Sequence, residues 1–126
     1  MNRTRSLLLG VAASGLLVLA GHGDALAQDP AVVNARTIRI KLENSRVRVL
    51  EAVLKPNDRE QLHSHPAYVV HVMAGGRIRS HGTDGKTTEY EFVTGDTVYR
   101  DPITHWAENI GSTTIHLILV ELKEPT

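Results

Sequence analysis

From residue 37 onward, apolar side chains recur at every second position, and turn-forming residues cut the pattern into short pieces. Successive side chains on a strand point to opposite faces, so a period of two predicts half-buried β-strands rather than helices. Thr37-Ile38-Arg39-Ile40-Lys41-Leu42 alternates strictly, and after Asn44-Ser45 a second run extends from Arg46 to Leu54, ended by the polar turn Lys55-Pro56-Asn57-Asp58. Gln61 to His65 is a short strand stopped by Pro66, and Ala67 to Met73 is apolar and β-branched up to Gly75-Gly76. Arg77 to Ser80 starts a hairpin through Thr83-Asp84-Gly85, where Asp-Gly suits a tight turn. Thr87 to Val93, Thr97 to Arg100, Thr104 to Asn109 and Thr113 to Leu122 complete the series. So many short strands, with no convincing helical stretch, predict an all-β antiparallel sandwich or barrel over residues 37–126. Residues 28–36 carry few signals and read as an N-terminal arm, either loose or pairing as a strand with a second subunit.

The first 27 residues follow a different rule. A short cationic start, Asn2-Arg3-Thr4-Arg5-Ser6, precedes an almost wholly apolar or small stretch from Leu7 to Gly21, and Ala25-Leu26-Ala27 supplies the small-x-small pattern of a cleavage site. The apolar stretch falls short of the roughly 20 residues that a spanning helix needs. A signal peptide over residues 1–27 is therefore expected, with Gln28 as the mature terminus and the periplasm or the exterior of a bacterium as the destination.

Composition narrows the chemistry. The formal net charge is zero, and losing Arg3, Arg5 and Asp24 with the leader keeps the domain near neutrality. The scattered basic residues give no electrostatic case for nucleic acid or a membrane surface. There is no cysteine, which excludes disulfides, thiolate nucleophiles and sulfur-ligated metals; any metal must be held by nitrogen and oxygen.

The histidines point to such a metal. His63 and His65 lie two apart, so on a strand both imidazoles face the same way, and His105 lies forty residues on in what also reads as a strand. Three nitrogen ligands of this kind hold a divalent transition metal and leave positions for water or substrate.

These residues resemble a small single-domain cupin of the double-stranded β-helix, or jelly-roll, class. Pro56-Asn57-Asp58 matches the opening turn of the first cupin motif, His63 and His65 its ligand pair and Gly75 its final glycine; Gly95, Pro102, His105 and Asn109 match the second motif, with a shortened stretch between Pro102 and His105. The first motif's glutamate is missing: counting from either end reaches Tyr68, Val69 or Val70. The resemblance therefore implies the three-histidine variety of cupin. Such proteins tend to hold Fe(II) and activate dioxygen on a small organic acid, thiol or diol, which implies a metal-dependent oxygenase and a homodimer. Zinc, manganese, copper or nickel would serve instead in an isomerase or hydrolase, or in a protein that binds a metal or metabolite without turnover.

Two further residues are catalytic candidates. Tyr68 can be a weak ligand, a proton donor or a wall of the cavity. Glu51 shares a strand side with Val47, Val49 and Val53; if that side faces inward, burial raises its pKa and makes it an acid or base, whereas if Leu50, Ala52 and Leu54 face inward it is solvated. Gln61 can orient a substrate or sit idle at the rim, and Arg100 can attract an anion to the cavity mouth or lie on the surface. Trp106 must point away from His105, toward sandwich packing or a dimer contact. His71, His81 and His116 read as structural or surface residues, and Asn109 as a strand-end residue.

Overall fold

The computed structural model describes residues 28–125. The expected signal peptide, residues 1–27, lies outside them.

Among the described residues, a short helix, α1 (Pro30–Val33), precedes nine strands: β1 (Ile38–Glu43), β2 (Val47–Leu54), β3 (His63–His65), β4 (Tyr68–Ala74), β5 (Gly76–Gly82), β6 (Thr87–Phe92), β7 (Thr97–Arg100), β8 (Ile103–Asn109) and β9 (Ile115–Leu122). All pairings are antiparallel and build a five-stranded sheet, β1-β2-β9-β4-β7, and a four-stranded sheet, β3-β8-β5-β6. After β2 the chain passes repeatedly from one sheet to the other, the winding of a jelly roll.

The barrel expectation is corrected here, because neither sheet closes on itself. β1 and β7 remain edges of the larger sheet, and β3 and β6 of the smaller. The physical reason lies in the switches between sheets: Pro66 stops β3 after three residues, and the positive-φ Gly95 turns the chain just before the four-residue β7. Strands this short end before they reach a neighbour across the gap, and two open faces pack together instead.

The core follows the alternation in the sequence. Leu50, Ala52 and Leu54 of β2, Tyr68, Val70 and Val72 of β4, and Ile115, Leu117 and Leu119 of β9 point inward from the larger sheet; Ile78, Phe92 and Ala107 meet them from the smaller one. Burying such side chains contributes about 1.5–3 kcal/mol for each large one. Gly75 is needed where β4 crosses to β5, since a Cβ there would collide with the Phe92 carbonyl oxygen.

The arm also departs from expectation. It is neither loose nor a strand: Asp29 caps α1 by accepting the Ala31 N–H at 2.9 Å, Pro30 starts the helix, and Pro30 and Asn34 are buried against the domain.

Candidate metal centre

The smaller sheet brings the three histidines together. Alternation along β3 puts His63 and His65 on its inner face, and the β3–β8 register sets His63 directly opposite His105. All three are buried, and their ligand nitrogens lie within 4.8 Å of one another.

Each ring is fixed from behind through Nδ1. The Nδ1–H of His63 donates to the Gln61 carbonyl at 2.8 Å, His65 Nδ1 donates to Glu121 Oε2 at 2.7 Å, and His105 Nδ1 lies 2.8 Å from Ser80 Oγ. With its proton on Nδ1, His63 turns its bare Nε2 toward Nε2 of His65 across 3.1 Å. A proton or a cation shared between the two nitrogens accounts for so close an approach. Imidazole nitrogens about 2.0–2.1 Å from a shared ion would be spaced in this way, so the donor set fits a divalent transition metal. Burial is the largest influence on His63 and His105 and lowers them to about 4 and about 3, so both are neutral, ligand-competent imidazoles at pH 7.

The larger sheet supplies the surroundings. Tyr68 and Glu121 are paired neighbours on β4 and β9, and both face the histidines. The Tyr68 ring lies 4.6 Å from that of His65, and burial raises its phenol so that it keeps its proton. Glu121 is buried, which by itself raises a carboxyl, but hydrogen bonds from His65 and Arg48 outweigh this and hold it ionised. Arg48 also donates to Asp29 at 2.6 Å.

Beside the histidines is a cavity of about 40 Å³ in which a water-sized group can move, room for roughly three waters at about 10–15 Å³ each. Val70, Ile78, Phe92 and Leu119 make its walls apolar, while Glu60, Tyr68, Tyr90 and Arg100 supply polar groups. Burial pushes the Glu60 carboxyl up to about 8, against a backbone hydrogen bond from Ala107, so it is largely protonated at neutral pH. Arg100 lies over the Tyr90 ring at 5.1 Å and, among the described residues, has no acidic partner.

The other candidates lie elsewhere. Because Leu50, Ala52 and Leu54 face inward, Glu51 is on the outer face of the larger sheet, bonded to Arg39 at 2.6 Å and His116 at 3.0 Å. Those bonds hold its pKa below the usual range rather than above it. Gln61 contributes its backbone carbonyl to the site. Asn109 is structural, its amide donating to the carbonyls of Leu54 and Thr113. Trp106 is on the outer face of the smaller sheet, stacked 3.7 Å from His81 and covered by Arg59.

The residues not anticipated are Glu60, Ser80, Tyr90, Glu121 and the Asp29–Arg48 pair. Two of them left a signal: Glu121 is in phase with Ile115, Leu117 and Leu119, and Ser80 with Ile78, so each is a polar residue on an inward-facing register.

No protein-family model and no curated protein matches the chain. Solved structures do. A cupin domain from Bordetella pertussis Tohama I superposes with a TM-score of 0.63 at 24% identity, over 69% of this chain and 92% of that one. A protein with a double-stranded β-helix domain from Klebsiella pneumoniae gives 0.52 at 21%, over 67% and 73%. A protein described as a predicted oxalate decarboxylase from Thermotoga maritima gives 0.51 at 20%, over 69% and 79%. The chain thus has the cupin, double-stranded β-helix fold. It carries a three-histidine cluster able to hold a divalent metal, without the fourth, glutamate ligand.

Proposed function

We propose that this chain is an exported, metal-dependent oxygenase that acts on a small organic substrate. The observation that carries this reading is the cavity: it opens beside the three converging imidazoles and presents protonated Glu60 and Tyr68, together with the cation Arg100, to whatever fills it. A bound redox-active ion would supply Lewis acidity and electron transfer to dioxygen.

The remaining chemistry belongs to the side chains. His63, His65 and His105 would hold the ion, and His65 and His105 also line the cavity. Arg100 attracts an anionic group, and the apolar walls exclude water, which strengthens that attraction. Glu60 and Tyr68 each hold a proton to give to a developing anion. The cavity volume favours a substrate of few heavy atoms.

The test is anaerobic loading with Fe(II), followed by a panel of small acids, thiols and diols and then oxygen. A substrate-dependent spectral change with matched oxygen uptake is expected. If zinc-loaded protein converts a substrate with no oxygen consumed, the chain is instead a redox-silent isomerase or hydrolase, for which Glu60 and Tyr68 would also serve. Metal that exchanges freely and responds to no substrate would make it a binding protein. No helix among the described residues is long and apolar enough to cross a membrane. Export is tested by fractionation: a shortened chain beginning at Gln28 in the periplasm or medium supports it, and an intact chain in the cytoplasm contradicts it.

A further inference from the structure

The segment 28–34 lies outside the two sheets, yet it reaches the histidine cluster along two separate routes. Among the described residues β3, which carries two of the clustered histidines, pairs as a strand only with β8, so its other edge would expose backbone groups. The segment covers that edge. Gln28 accepts the Ser64 N–H on its carbonyl at 2.8 Å and the Ser64 hydroxyl on Oε1 at 2.9 Å, between the two ligands. Asn34 grips the Gln61 peptide at both ends: its Oδ1 accepts the Gln61 N–H at 2.6 Å and its Nδ2 donates to the Gln61 carbonyl at 3.2 Å. That same carbonyl receives the Nδ1–H of His63. The second route is ionic, from Asp29 through Arg48 to Glu121 and so to His65, in three contacts of 2.6–2.7 Å.

We propose that this segment is a clamp on the metal centre: when docked it fixes the rings of His63 and His65, so its docking and the binding of a divalent ion by the three histidines favour one another. The inference rests on the metal reading above. A ring held through Nδ1 loses less freedom when Nε2 takes a metal, and groups behind metal-bound histidines are commonly worth about 10–100-fold in affinity. Linkage requires the converse, that the ion hold the segment down by the same factor. The segment is suited to this because it is short and docks through few buried residues, chiefly Pro30 and Asn34, so a ligand can shift its docking. Asn34, Asp29 and Arg48 are thus positioning residues.

The test uses the purified protein with Co(II) and Zn(II) as probes. Asp29→Asn keeps an acceptor to cap the helix but loses the charge; Asn34→Ala cuts the other route; Glu89→Gln, on the outer face of the smaller sheet, is the control. Both arm variants should weaken Co(II) binding by about 10–100-fold and shift its visible absorption, with the control unchanged. In the unsubstituted protein, zinc should slow hydrogen exchange at the amides of Val32, Val33 and Asn34, by a factor comparable to that affinity loss. Unaltered affinity and spectrum in Asp29→Asn, or exchange that is indifferent to bound zinc, would overturn the clamp. If Asn34→Ala does not fold, those two measurements decide. Uptake of metal without any effect of the arm defeats the clamp alone, whereas no uptake by the unsubstituted protein defeats the metal reading and the clamp together.

Discussion

Replacing Glu121 with Gln removes the charge that joins one of the clustered histidines to a partly buried arginine. Glu121 accepts from His65 Nδ1 and Arg48 Nε, both at 2.7 Å, while nearly fully buried. A glutamine of the same shape offers one acceptor oxygen and turns an NH2 group toward the other donor, so one charge-assisted bond weakens and the other is lost. Such bonds contribute about 1.5–3 kcal/mol each, and breaking a buried pair costs about 3–5 kcal/mol. Arg48 keeps Asp29, which places the expected loss near the lower end, about 3 kcal/mol. For a domain of this size that lowers Tm by roughly 15 °C. Urea unfolding of the metal-free protein at pH 7 measures it. A loss below about 1 kcal/mol would show that the Glu121 charge does not hold the site together, and the reasoning would fail.

Further predictions follow from the same geometry. Replacing His63 and His65 together by Ala should abolish stoichiometric metal uptake while the β-rich circular dichroism persists; retained metal would refute the ligand assignment. Metal-free protein should lose stability as pH falls below about 6.5, because unfolded imidazoles then take up protons that the buried His63 and His105 refuse until about 4 and about 3; a flat profile between pH 6.5 and 4 contradicts this. Glu60 has the opposite sign. Its folded carboxyl keeps a proton up to about 8, so the stability it contributes below its ordinary value of 4.5 drains away as pH rises to 8, and Glu60→Gln should flatten that decline in urea midpoints. The homodimer is expected to form over Ile40 of edge strand β1, which pairs with the inward-facing Leu50 but lies about half exposed; light scattering at the monomer mass would oppose it.

The sequence shows the strands clearly because each buries one face. Thr97 to Arg100 matches β7 end to end, and the limits of β2 and β9 shift by only one or two residues. The pairing of His63 with His65 is legible for the same reason, since alternation alone aligns them. Closure into a barrel was not legible, because it depends on where strands cross between sheets, a property of Pro66 and Gly95 acting at a distance. Glu51 was ambiguous because Val47, Val49 and Val53 mimic an inward face on a strand whose outer side is also partly covered. Asn34 and Asp29 lay in a segment without periodicity, and their contacts span 27 and 19 residues.

The three histidines either hold an ion or they do not. Anomalous diffraction from crystals grown with added metal tests this directly. One strong peak about 2.0–2.1 Å from Nε2 of His63 and His65 and from a ring nitrogen of His105 is predicted; density lacking there, or a metal bound only elsewhere, would contradict it.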